Sequence, residues 1–390
     1  MKNNASFSLL MVPLLFCMPT LHADPLSVHG FIAQGLTQAK NSNAVNNDGD
    51  VSTELTEVGV NAKWTLYPKI KVAGQVVYLN GGNRYANGAR LDYLFVDISL
   101  TDDFDHQLNA YLGRYKNQHW LYSSTRDVPF TRPSIILPQS IYYDAFRDIA
   151  VASDGVAIKG YLQHALGDIE YNWSIGATNI TSEQSKTLLS SAIQGSAKQK
   201  FVHQASLFWQ PSSSRATYGM SLLDSDFSYK PGANDFFSNG DVTVQRMMLN
   251  WRYQAEKWEL AAEVMQERMT IAGFYQPGFA REQRGLGGYL LGRYRFDSKL
   301  SAVVALDYLT QNKDDKRGSQ LPATGIPAYF GYQQSAMVGA TYALADNWQL
   351  QAEHHWVDGT GRLSPSLVPD LNINKQRYWQ LWALQLTYWF

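Results

Sequence analysis

The sequence predicts an all-β fold, a closed antiparallel transmembrane barrel of about sixteen strands. Three observations predict it. Apolar residues recur at every second position in segment after segment, the connections between segments alternate between short and long, and the chain stops on a bare aromatic, "ALQLTYWF", ending at Phe390. A free terminus is ordinarily polar and frayed, so an apolar ending asks for a partner.

The first element is not part of the barrel. Lys2 precedes an apolar run from Phe7 to Met18, then "TLHA", with Ala23 as the small residue before a cut. This reads as a signal peptide over 1–23, because the run is shorter than the roughly 20 residues that cross a bilayer as a helix. The sole cysteine, Cys17, lies inside that leader, and Phe16 before it replaces the small residue a lipid-modified cysteine would need. The exported remainder, 24–390, reads as one barrel domain without disulfides. A net charge of −1 argues against a nucleic-acid partner, and beyond the leader no apolar run approaches helix-spanning length.

The strands follow by their period of two. Val58, Val60, Ala62 and Trp64 alternate with Glu57, Asn61 and Lys63; Ile169, Tyr171, Trp173 and Ile175 with Glu170, Asn172 and Ser174. Trp258, Leu260, Ala262 and Val264 alternate with Glu259, Glu263 and Glu267, and Leu300 to Tyr308 and Trp348 to Ala352 repeat the pattern around Asp307 and Glu353. Each has one apolar and one polar face. Sixteen such segments fall roughly at 26–36, 54–65, 69–79, 91–100, 106–115, 155–164, 168–178, 201–210, 214–224, 242–253, 257–270, 284–295, 299–310, 335–344, 347–357 and 378–390.

Between them, short turns such as "LYPK", "HALGD", "FDSK" and "ALADN" alternate with long loops, the longest over 116–154. A meander with tight turns at one end and long loops at the other describes a barrel in an outer membrane, with both termini periplasmic. Lipid offers no hydrogen-bond partner, so the last strand must pair with the first. That gives "ALQLTYWF" its partner. Trp64, Trp209, Trp258 and Trp348 flank short turns, where an interfacial girdle needs them. A soluble sandwich or propeller would also alternate, but requires neither the rhythm of loop lengths nor the apolar ending, and no blade repeat is visible.

This organisation resembles the outer-membrane porins of Gram-negative bacteria over the whole exported chain. The most specific stretch is "LGRYKNQHWLYSSTRDVPFTRPSIILPQSIYYDAFRDIAVASDG", similar to a segment of porin-like proteins. The resemblance implies a homotrimer in outer-membrane lipid, a terminal Phe390 read by the barrel-assembly machinery, and a loop after the fifth strand folded into the lumen. It implies a water-filled channel for passive diffusion of small hydrophilic solutes and ions, with no cofactor.

The residues of that loop agree. Val128, Phe130, Ile135, Ile136, Leu137, Ile141, Tyr142 and Tyr143 are too apolar for a loop in water, so the 116–154 segment is expected to pack inside and act as the constriction. Its charges, Arg114, Lys116, Arg126, Asp127, Arg132, Asp144, Arg147 and Asp148, are candidates to sort solutes by sign. Alternatively they pair with one another and pin the loop, "TRD" and "FRD" being suggestive. On the wall, alternation points Lys63, Lys71, Lys159, Arg246, Arg252, Arg293 and Arg295 into the lumen against Glu57, Asp97, Glu170, Glu259, Glu263, Glu267, Asp307 and Glu353. Glu259, Glu263 and Glu267 should form one acidic rib, which Arg246 and Arg252 neutralise if the register allows.

Catalysis is not expected. His203, His354 and His355 sit on strands, no G-x-S-x-G motif accompanies the many serines, and 354 and 355 point to opposite faces, which spoils a metal site. "NNDGD" from Asn46 lacks the distal Glu of a calcium loop and reads as a turn. Two other readings stay open: a substrate-selective channel for an anion, a dicarboxylate or a sugar, and a non-conducting barrel that acts as an adhesin or receptor through its loops.

Overall fold

The computed structural model describes residues 25–147, 152–363, 365 and 367–390; the signal peptide expected over 1–23 and the constriction candidate Asp148 lie outside them. Among the described residues sixteen long strands form one sheet. In order they are β1 (Leu26–Lys40), β3 (Thr56–Tyr67), β4 (Ile70–Asn80), β5 (Gly88–Asp102), β6 (His106–Lys116), β7 (Ala152–His164), β8 (Gly167–Ala177), β9 (Ser196–Pro211), β10 (Ala216–Lys230), β11 (Gly240–Gln254), β12 (Trp258–Gly273), β13 (Ala280–Arg295), β14 (Leu300–Thr310), β15 (Tyr332–Ala345), β16 (Trp348–Gly359) and β17 (Tyr378–Trp389). A two-residue strand, β2 (Val51–Ser52), sits in the first long loop.

Every long strand pairs antiparallel with its neighbours, and β1 closes the ring on β17 from Phe31↔Trp389 to Lys40↔Gln380. The terminal residue completes the seam: Gly30 and Phe390 exchange backbone bonds of 3.1 and 3.0 Å. Only glycine suits position 30, because a Cβ there would fall on the Phe390 ring. Closure leaves no edge to satisfy, which a membrane demands.

The alternation read from the sequence divides the two faces. Val60, Val76, Leu94, Leu112, Leu222, Leu249, Val264, Leu290, Val304 and Leu306 all stand exposed on the outside, as a lipid-facing belt must. Trp64, Trp209, Trp258 and Trp348 are exposed beside the short turns, joined by Tyr67, Phe104 and Phe296, and form the expected girdle. The core therefore lies inside. Loop residues Trp120, Tyr122, Leu137, Ile141 and Tyr142 pack with Met248, Met265, Tyr289, Leu291 and Val303 of the inner wall. Ile135 and Ile136 pack under β1, β16 and β17, and Phe130 stacks on Trp389 at 4.7 Å.

One irregularity matters for the lumen. Val76 pairs with Leu91 and Gln75 with Tyr93, so Asp92 is the extra residue of a bulge. Strict alternation would set Asp92 on the lipid face with Leu94 and Val96. The bulge turns it inward, where it accepts a bond from Gln75 Nε2 at 2.8 Å.

Candidate functional site

The connection between β6 and β7 enters the lumen, as its apolar content predicts, and its charges are consumed in holding it there. Glu57 on β3 receives Arg132 at 2.5 and 3.2 Å and Arg147 at 2.9 Å. Arg147 Nε also bonds Asp127 at 2.5 Å, Asp127 takes Lys116, and Lys116 reaches the bulged Asp92 at 2.6 Å. Arg126 pairs with Asp144 at 2.9 Å and donates to the Tyr142 carbonyl at 2.5 Å. All of these loop charges are buried or nearly so. The pairs run between "TRD" and the "DAFR" stretch, so the two motifs clasp each other. Burial pushes Arg126 down to about 10 against the pull of Asp144. Burial alone would raise the Asp127 carboxyl, but Lys116 and Arg147 hold it well below the usual range.

Wall carboxylates on the other side hold the loop by its backbone and hydroxyls. Glu353 accepts from the Ile135 and Ile136 amides at 2.8 and 2.9 Å, and Asp307 from the Ser140 amide at 3.2 Å. Glu263 accepts from the Leu121 amide at 3.1 Å and from the Tyr142 and Tyr289 hydroxyls at 2.5 and 2.8 Å. Tyr122 donates to Glu259 at 3.3 Å. On β8 to β10, Asn172 and Ser206 donate to the Gln118 carbonyl, Ser221 donates to that of His119, and His119 Nε2 meets Ser174 Oγ at 3.1 Å.

These ties cross the barrel. Glu57 on β3 and Arg246 on β11, whose guanidinium lies 5.4 Å from the Trp120 ring and bonds the Ile141 carbonyl at 3.5 Å, stand eight places apart in the ring of sixteen. Ser174 on β8 and Glu353 on β16 are likewise eight apart. The loop is thus a brace along two diameters rather than a lining of one wall.

Of the residues expected at the constriction, Lys116, Arg126, Asp127, Arg132, Asp144 and Arg147 come together in this clasp. Arg114 does not. It shares the outward parity of Leu112, is half-exposed, and pairs with Asp154 of β7 at 2.8 and 2.9 Å. The acidic rib exists and is neutralised at its ends. Arg246 faces Glu267 across the β11–β12 register at 2.5 Å, Arg293 takes Glu259, and Arg295 stands 3.9 Å from Glu259. Glu263, between them, has only neutral donors bonded to it.

The remaining wall candidates divide by sign. Glu57, Glu259, Glu263, Glu267, Asp307 and Glu353 are all buried under the loop. Lys63, Lys71, Lys159, Arg252, Arg293 and Arg295 keep contact with water, against only Asp97 and Glu170 among the acids. Lys159 lies 3.5 Å from Glu170, and Asn109 donates to Asp97 at 2.5 Å. Sequence reasoning missed Asp92, hidden by the bulge, and Arg84 and Arg362, which lie in other long loops and point at the brace: Arg84 lies 3.6 Å from Asp144, and Arg362 bonds the Ser140 carbonyl at 3.4 Å. No group of three His, Cys, Asp or Glu suited to a metal occurs among the described residues.

No protein-family model and no curated protein matches the chain. Solved structures do match its fold. The chain is similar to OmpT of Vibrio cholerae (TM-score 0.56, 12% identity, 95% of this chain and 99% of that one). It is similar to an anion-selective porin from Comamonas acidovorans (TM-score 0.59, 9% identity, 94% and 99%) and to the outer-membrane channel DcaP of Acinetobacter baumannii (TM-score 0.54, 11% identity, 94% and 97%). At these identities the likeness is one of fold: a closed sixteen-stranded barrel resembling the porins of Gram-negative outer membranes.

Proposed function

We propose that this porin-fold barrel is a passive, restricted channel of a Gram-negative outer membrane, and that it favours small anions over cations. The observation that carries the reading is the division of wall charges. Of the wall candidates, six of the eight acids are buried, while six of the seven bases, all but Arg246, stay in contact with water. Fixed charge of one sign in a narrow low-dielectric passage raises the local concentration of the opposite ion. The cross-lumen brace favours a restricted channel over a wide general pore. Assembly as a homotrimer belongs to the same reading.

Single-channel recording in a planar bilayer, followed by the reversal potential in a salt gradient, tests it. Small stepwise conductance with an anion-selective reversal potential is expected, and steps grouped in threes would support the trimer. Arg295→Glu with Lys63→Glu should move the reversal potential toward cations. A cation-selective wild type overturns the preference. Silence from a heat-modifiable, folded barrel favours the second reading, a plugged barrel acting as receptor or adhesin, for which the same brace is the supporting observation.

A further inference from the structure

Three connections at the long-loop end, over 274–279, 311–331 and 360–377, enclose a vestibule of about 530 Å³. Small-molecule sites usually measure about 300–1,000 Å³, so the space suits a solute of about disaccharide size. Bonds between the loops fix its walls. The Tyr275 hydroxyl donates to the Leu367 carbonyl at 2.9 Å and Gln311 Nε2 to the Gly361 carbonyl at 2.9 Å, so each loop is tied to another. A smaller cavity of about 70 Å³ shares Tyr275, Arg281, Gln283 and Gln311 with the vestibule and reaches Glu267 and Arg362. Arg362 bonds the brace, so the vestibule narrows toward it.

The lining combines three kinds of chemistry. Gln283, Gln311, Asn312 and Gln320 bring four amide side chains to one space, and an amide carries donors and an acceptor on one group, as the hydroxyls of a polyol do. Tyr275 and Phe279, their ring centroids 4.8 Å apart, add aromatic surface, whose electron-rich face suits the C–H face of a sugar ring. The third element is a single open charge. Arg281 shares the inward parity of Gln283 and Tyr289, is exposed, and donates to the neutral Gln283 at 2.5 Å; among the described residues no carboxylate pairs with it. Asp315, the one acid among the described lining residues, is committed to its own loop, accepting from the Ser319 amide and hydroxyl at 2.8 and 2.7 Å and from the Gln320 amide at 2.8 Å.

We infer that the vestibule captures an acidic carbohydrate of about disaccharide size, with a sugar ring against Tyr275 and Phe279, hydroxyls on the amides and a carboxylate on Arg281. An ammonium would find no free acid here. An apolar acid would strip water from the four amides without replacing its bonds. The inference deepens the channel reading by naming the class of solute, and it rests on that reading for passage inward past the brace.

Isothermal titration of the full barrel in detergent, blanked against empty micelles, tests it with three probes: lactobionate, lactose and acetate. Lactobionate should bind about tenfold or more tighter than either of the others, since lactose lacks the carboxylate and acetate lacks the sugar. Arg281→Gln should bring lactobionate down to the level of lactose, a loss of about tenfold, and leave lactose where it was. Phe279→Ala should weaken both sugars several-fold, with heat-modifiable mobility reporting that each barrel has formed. If either variant does not fold, Gln320→Ala on the exposed rim replaces it and should weaken lactobionate several-fold. Equal binding of lactobionate and either other probe, no binding, or undiminished lactobionate binding by folded Arg281→Gln overturns the inference. Recording separates the two readings: a barrel that conducts without binding lactobionate refutes the vestibule site alone, and one that binds it without conducting refutes the channel alone.

Discussion

The brace is held differently at its two ends. Against β3 to β6 it is tied by ions: Arg132, Glu57, Arg147, Asp127, Lys116 and Asp92 form, in that order, one buried chain of alternating sign. Against β12 and β13 it is tied by neutral donors, the Leu121 amide and two tyrosine hydroxyls on Glu263. An ionic chain fails badly when one member is removed, because the others are left buried and unpaired. A carboxylate held by neutral donors leaves only hydroxyls and an amide behind. Charge content alone therefore does not tell how firmly a segment is held; the identity of the partner does.

The largest effect should follow Glu57→Ala. It strands Arg132 in a buried site, leaves Arg147 with Asp127 alone, and should cost about 3–5 kcal/mol. Undocking of the clasped half is the expected outcome, read as a several-fold rise in single-channel conductance and new protease cleavage within 117–147. An unchanged channel would refute the ionic latch. Glu263→Gln should cost far less, about 1 kcal/mol, because the amide oxygen still accepts from one tyrosine. Equal losses at the two positions would erase the contrast between the ends.

Much of this was legible in the residues. Alternation locates the strands and gives the face of every wall candidate from Lys63 to Glu353, because a strand's side chains cannot escape their period. The apolar content of Ile135 to Tyr143 places the loop inside. The partners were not legible. That Arg126 clasps Asp144 and Asp127 clasps Arg147 depends on a fold of the loop that has no periodicity, and Asp92 is revealed only by a bulge that breaks the period. The opposite register of Arg246 and Glu267 likewise needed the strand pairing, which a one-residue slip would destroy.

Acid supplies a gentler way to separate the ends. Burial, with His203 adding a smaller effect, pushes His119 down to about 3, so the docked loop holds this ring neutral beside Ser174. A histidine in the undocked chain titrates near 6.5, so below that pH the undocked loop takes up a proton first. The contribution is complete above about pH 6.5 and declines by roughly 1 kcal/mol per pH unit as the pH falls toward 3. The Asp127 contribution is lost in the same direction but in a lower window. The carboxyl's depressed value keeps the latch intact down to about pH 4, below which the undocked carboxyl begins to bind protons first. Hydrogen exchange should therefore loosen near His119 between pH 6.5 and 4 while the clasp around Asp127 holds. His119→Gln should flatten that dependence, and a dependence that survives the substitution would assign it to another group.

The smallest effect is expected at Arg114, where residue type and position in the chain point to the lumen and strand parity points away from it. Its guanidinium is committed to Asp154 and the Leu91 carbonyl on the outer surface, with the Asp154 side chain 48% exposed. An exposed pair of this kind contributes about 0–1 kcal/mol. Arg114→Ala should thus leave conductance and reversal potential where they were and shift thermal stability only slightly. Lys116, two residues on and at the strand's end, reaches inward to Asp92 and Asp127, so Lys116→Ala should disturb the clasp. A change of ion selectivity in Arg114→Ala, with Lys116→Ala silent, would mean that the strand turns its other face to the lumen, and with it the whole assignment of the β5 to β7 wall.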